Sequence, residues 1–164
     1  MPFTVYVSGR NTPDQSRSTG VQHPEVAPGR SFSSIVSGSS AGCSDAVKPG
    51  PVGTPDRYFD PCGFVLPPAG FYGNAGRNIL IGPRLVNFDF SVTKKTRVPM
   101  GEAGSLEFHA DFFNLLNHAN FAVPRAPQGQ VLNPATGAYV AGAGKITNTV
   151  SSSRQLQFGL KLVF

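Results

Sequence analysis

The sequence predicts an all-β chain, an antiparallel sheet of about four strands with long irregular loops that forms the C-terminal portion of a transmembrane β-barrel. Three observations predict it. Residues 154–164 alternate large apolar with polar side chains and stop on Phe164, the period-2 pattern of a strand with one apolar and one wet side. Glycine (19) and proline (15) are abundant, which favours punctuated β structure, and no run approaches the ~18 apolar residues of a membrane helix. The connections are uneven: a short turn at 97–104, but long stretches at 9–84 and 117–153. Outer-membrane barrels have short periplasmic turns and long external loops, whereas structureless connections of such length are uncommon in compact soluble domains.

The elements follow in order. A first strand is expected near 3–8, with Phe3, Val5 and Val7 on one face. The second, near 85–96, turns Val86, Phe88, Phe90 and Val92 one way and Asn87 and Asp89 the other. In the third, near 105–116, Leu106, Phe108, Ala110 and Phe112 oppose Glu107, His109, Asp111 and Phe113. The last, 154–164, sets Leu156, Phe158, Leu160, Leu162 and Phe164 against Gln155, Gln157 and Lys161. In a barrel the apolar rows face lipid and the polar rows face the lumen. With Phe164 in the periplasm, the last strand runs inward and the third runs outward. The turn at 97–104 then lies on the periplasmic side, and both long loops lie outside. Eleven residues at ~3.3 Å, tilted ~45°, reach roughly 26 Å, matching the ~25 Å apolar band of such barrels. Within the first loop, residues 9–50 are Ser/Gly/Pro-rich and read as mobile, whereas 51–84 combine turn formers with aromatics and read as an ordered flap.

Composition excludes other classes. Charged residues are 14% of the chain, against roughly 25% in soluble domains. A net charge of +5 invites a nucleic-acid reading, but the basic residues are scattered and only Lys94, Lys95 and Arg97 cluster, so nucleic acid is not an expected partner. Cys43 and Cys62 have no Cys or His two to four residues away, so zinc-type spacing fails. A disulfide tying a long loop is the better reading and implies an oxidising compartment; two unpaired thiols are the alternative. The first ten residues lack the charged and apolar regions of a signal peptide. The expectation is therefore a piece of a longer exported protein.

No catalytic, cofactor or metal site is expected. Glu107, His109 and Asp111 share one strand face, as a hydrated lumen wall requires, and converge with no further ligand. His23 and His118 lie in predicted loops, the serines lack a nucleophile elbow, and the glycines at 73 and 76 lack a phosphate-loop context. The chain reads as a non-enzyme.

The motifs Pro55-Asp-Arg-Tyr-Phe-Asp-Pro61, Gly73-Asn-Ala-Gly-Arg-Asn78, Asn87-Phe-Asp-Phe-Ser-Val-Thr-Lys94, Phe108-His-Ala-Asp-Phe-Phe-Asn-Leu-Leu-Asn-His-Ala-Asn-Phe121 and residues 153–164 resemble the C-terminal end of TonB-dependent receptors of the Oar-like group. The resemblance implies a large outer-membrane barrel with an N-terminal plug, of which this chain holds about four strands and neither plug nor TonB box. It implies as partners the rest of that barrel and plug, outer-membrane lipid, the barrel-assembly machinery and, through a region outside this chain, TonB. Phe158, Leu160, Leu162 and Phe164 resemble the terminal signal read by that machinery. The expected function is the closing strands and surface loops of a transporter, inactive alone. The alternative is a soluble secreted β-sandwich, an adhesion or binding module with the apolar rows as its core.

Overall fold

Among the described residues, proline and glycine keep the strands in the first half of the chain short, whereas three uninterrupted alternating stretches in the second half form long ones. The computed structural model describes residues 2–8, 21–68, 70–99, 104–124 and 129–163. The chain divides into two units, Met1–Pro83 with Ala122–Asn148, and Arg84–Phe121 with Thr149–Phe164.

The first unit contains strands β1 (Pro2–Phe3), β2 (Val7–Ser8), β3 (Val21–Gln22) and β4 (Glu25–Val26), then helix α1 (Phe32–Val36). Strands β5 (Ser39–Ser40) and β6 (Gly50–Pro51), a 3₁₀ turn at Pro61–Gly63, β7 (Phe64–Val65) and β8 (Leu80–Ile81) follow. All pair antiparallel in twos: β1 with β8, β2 with β3, β4 with β7 and β5 with β6. Ser31 opens α1 with a capping box: Ser34 N–H donates to Ser31 Oγ (3.3 Å) and Ser31 N–H donates to Ser34 Oγ (3.2 Å). The helix stops at Ser37, and Gly38, at φ 85°, supplies the left-handed residue that turns the chain away.

These pieces are held by a core of their own. Val5, Val7, Ile35, Phe59, Phe64, Ala75, Leu80, Val131 and Leu132 form one buried cluster, with Phe59 edge-on to Phe64 at 6.0 Å. Burying each large member contributes about 1.5–3 kcal/mol. Single backbone bonds stitch the loops where ladders are too short, among them Tyr58 N–H to Gly144 O (2.7 Å) and Ile146 N–H to Pro55 O (2.8 Å). Buried Asp60 pairs with Arg30 and accepts from Cys62 N–H at 3.1 Å. Cys43 and Cys62 form a disulfide with Cα atoms 5.7 Å apart. At residue 73 only glycine fits, because a Cβ would collide with the backbone of His23 and Pro24.

The second unit is a three-stranded antiparallel meander: β9 (Phe90–Arg97), β10 (Ser105–Phe113) and β11 (Gln155–Val163), in spatial order β11-β10-β9. Nine residues at ~3.3 Å, tilted ~45°, rise about 21 Å, close to the apolar band of an outer-membrane barrel.

Several sequence expectations change here. The segment 3–8 is no continuous strand; it splits into β1 and β2 with different partners, and Val5 and Val7 enter the first unit's core. The strand expected near 85–96 starts only at Phe90: before it, Val86 pairs its N–H and C=O with the Asn120 side chain, and Phe88 O takes a single backbone bond from Leu115 N–H (2.8 Å). The strand expected near 105–116 ends at Phe113, where Asn114 adopts φ 49°. Residues 21–50, read as mobile, carry strands, a capped helix and one end of the disulfide; residues 9–20 lie outside the described residues. The stretches read as two separate external loops supply one shared core, since Val131 and Leu132 pack with Ile35, Phe59 and Phe64. Phe164 also lies outside the described residues.

Candidate functional site

Register decides which side chains share a face. Across β10, Leu106, Phe108, Ala110 and Phe112 lie opposite Leu162, Leu160, Phe158 and Leu156 of β11. On the other flank the same residues meet Thr96, Lys94, Val92 and Phe90 of β9. All the large apolar residues except Phe113 and Val163 therefore fall on one side of the sheet. Phenylalanines link the strands there: Phe90 to Phe112 at 6.0 Å, Phe112 to Phe158 at 6.3 Å and Phe108 to Phe158 at 6.3 Å. This side is uncovered, with Phe158 65% and Leu160 70% exposed. Aqueous sheets bury such a row. The row also admits two polar residues of β9: Lys94, level with Phe108 and Leu160, and Thr96, nearer the β9–β10 turn.

The opposite side is polar. Glu107 sits between Lys95 and Lys161 in register, His109 between Thr93 and Gly159, and Asp111 between Ser91 and Gln157. Ser91 Oγ donates to Asp111 Oδ1 (2.6 Å), Thr93 Oγ1 lies 3.0 Å from His109 Nδ1, and His109 Nε2 lies 3.4 Å from Glu107 Oε1. The first two are cross-strand pairs, and the third joins residues two apart on β10. Among the described residues no group of three or more His, Cys, Asp or Glu side chains is arranged to hold a metal. Asn87 and Asp89 precede β9 and belong to the corner beyond it: Asn87 Nδ2 donates to both Asp89 oxygens at 3.0 Å.

That corner is clamped by three asparagines. Asn114 N–H donates to Asp89 Oδ1 (2.8 Å), its Nδ2 donates to Ser152 O (3.0 Å) and His118 O (3.1 Å), and its Oδ1 accepts from His118 N–H (3.0 Å). Asn117 Oδ1 accepts from Arg154 N–H at 3.1 Å. Asn120, fully buried, receives Val86 N–H on Oδ1 (2.7 Å) and donates from Nδ2 to Val86 O and Ser151 Oγ (both 2.9 Å). Asn114 and Asn117 take φ 49° and 50°, a conformation asparagine tolerates better than other side-chain-bearing residues. Three chain segments at one end of the sheet are thus tied by side-chain amides. Asn120 was not singled out from the sequence; the signal was the spacing of three, 114, 117 and 120.

The titratable groups with shifted equilibria lie in the first unit. Burial, joined by the Arg77 guanidinium, holds His23 below the usual imidazole range. Burial raises Tyr58, whose hydroxyl donates to Ile81 O (3.0 Å). Burial and the Asp60 carboxylate raise Tyr139, whose hydroxyl donates to Phe64 O (3.1 Å). No described helix is long and apolar enough to cross a membrane, which says nothing of strands.

The family model described as an outer membrane beta barrel domain matches residues 1–157. No curated protein matches the chain, and no solved structure does. The chain belongs to the outer membrane beta barrel domain family, and its place is the bacterial outer membrane.

Proposed function

We propose that the chain is a section of the barrel of an Oar-like, TonB-dependent outer-membrane transporter, supplying wall strands and surface loops without transporting anything alone. The observation that carries this reading is the uncovered apolar side of the three-stranded sheet, backed by a polar side in strict register. In this reading the row of Phe90, Phe108, Phe112 and Phe158 faces lipid, and Glu107, His109 and Asp111 line the lumen. Among the described residues β9 and β11 each pair on one side only. Open edges are not tolerated in hydrocarbon, so the reading requires further strands; a plug, the assembly machinery as partner and TonB acting through a region outside this chain are what the resemblance to Oar-like receptors adds. The role is architectural rather than enzymatic. The rival reading, a soluble secreted sandwich, needs the apolar row in a core, and the exposure of Phe158 and Leu160 counts against it.

Two measurements test the proposal. The genomic frame upstream of Met1 is expected to continue into more alternating strands and a plug; an in-frame stop there would count against it. Fused to a signal sequence, the chain alone is expected to run identically on a gel with and without boiling. A compact, heat-modifiable, detergent-stable monomer would overturn the requirement for partner strands.

A further inference from the structure

The asparagine clamp leaves an open cleft of about 310 Å³ at one end of the sheet's polar side, at the lower end of the roughly 300–1,000 Å³ of small-ligand sites. Its wall includes Asn87, Asp89, Phe113, Ser152, Ser153 and Gln155. Phe113 is the one aromatic ring on the polar side of the three strands, and Gln155 is its register partner on β11. A phenylalanine there, 43% exposed among amides and hydroxyls, leaves much of its ring open on a side that otherwise carries polar groups. It presents a flat apolar surface to whatever enters.

The remaining groups narrow the ligand. Hydroxyl and carboxamide side chains both donate and accept, which suits ligand hydroxyls that do the same. Among the described residues no protein group bonds to the side chains of Ser152, Ser153 or Gln155, so their capacity is unspent. Asp89 is oriented by Asn87 and by Asn114 N–H, yet it is exposed and keeps free lone pairs. Among the described residues no Lys or Arg lines the cleft. A lone carboxylate without a cation repels anions and accepts strongly from hydroxyls.

We propose that this cleft binds a neutral saccharide, one sugar ring stacking its C–H face on Phe113 while its hydroxyls bond Asp89, Gln155 and the serines. The inference deepens the transporter reading and rests on it, because the polar side is a route for solute only in a closed barrel. It gives that route a substrate class.

The test uses outer membranes from the organism that makes the protein, compared with membranes from a strain lacking it. Saturation-transfer NMR is run with maltose and cellobiose as neutral probes, and with glucuronic acid and cadaverine as charged ones. A protein-dependent signal from at least one disaccharide is expected. Phe113→Ala should weaken its binding about tenfold, the scale of one stacking contact, and Phe113→Tyr should restore most of it. Gln155→Ala, at an exposed position outside any core, should weaken binding with no loss of protein from the membrane. With the protein present in the membrane, three results would overturn the saccharide cleft and leave the transporter reading standing. These are no disaccharide signal, a signal indifferent to both Phe113→Ala and Gln155→Ala, or tighter binding of either charged probe. Absence of the protein from the outer-membrane fraction would overturn both.

Discussion

The two units solve the same problem, where to put large apolar side chains, in opposite ways. In the first, Val5, Ile35, Phe59, Phe64, Leu80 and Leu132 come from distant and irregular stretches and are buried together. In the second, Leu156, Phe158, Leu160 and Leu162 recur at every second position of one strand and stay exposed. The first unit carries its own hydrophobic driving force and a disulfide across its loops. Among the described residues the second has hydrogen-bonded ladders and a clamp but no hydrophobic cluster, so on the proposed reading its apolar row is stabilised when lipid covers it. On the proposed reading, a wet loop-built unit and lipid-facing staves are the two environments that one outer-membrane chain meets.

The contrast breaks most readily in the core of the first unit. Phe64 is fully buried and packs edge-on to Phe59, so Phe64→Ala should destabilise that unit by about 3–5 kcal/mol. Hydrogen exchange should show residues 21–68 losing protection while β9–β11 keep theirs; equal loss in both would mean one cooperative body. Next comes the assembled barrel. Leu160→Arg, near the middle of the apolar row, should cost about 2–4 kcal/mol, whereas Gln157→Arg on the polar side should be nearly silent. Urea titration of the folded barrel in detergent reads both, and equal costs would contradict the assignment of faces.

Asn120→Ala gives a smaller loss. It strands Val86 N–H and C=O and removes the bond to Ser151, worth about 1–3 kcal/mol for a buried unsatisfied group. The sheet end should fray in hydrogen exchange, with the first unit unaffected. The smallest effect belongs to His23. Its folded equilibrium lies below the ordinary value of 6.5, so the unfolded chain binds more protons in that window and stability rises with pH. The contribution is present above pH 6.5 and lost as pH falls through the folded value. Melting of the first unit at pH 7.5 and pH 5 should differ in that direction, and His23→Gln should remove the difference.

Much of the second unit was legible in the sequence. Alternation at 90–97, 105–113 and 155–163 assigns side chains to faces because a strand's period is two, and the short turn at 97–104 predicts that β9 and β10 are neighbours. The strand ends were not legible. Residues 85–89 alternate as well as any strand, but Val86 bonds to Asn120 and Asp89 to Asn114, partners that no local pattern shows. The cleft was equally hidden: Phe113, Asp89 and Ser152 are distant in sequence and meet only at the clamp.

Period and composition, taken alone, determined that this is a strand-built chain with one apolar and one polar row per long strand, since local sterics and the dilution of apolar residues one in two are visible residue by residue. Tertiary structure alone decided that the apparent first strand splits, that the two long loops share one core, and that three asparagines gather three segments into a corner. Burial and side-chain hydrogen bonding depend on contacts between residues far apart in the chain, and such contacts leave no periodic trace.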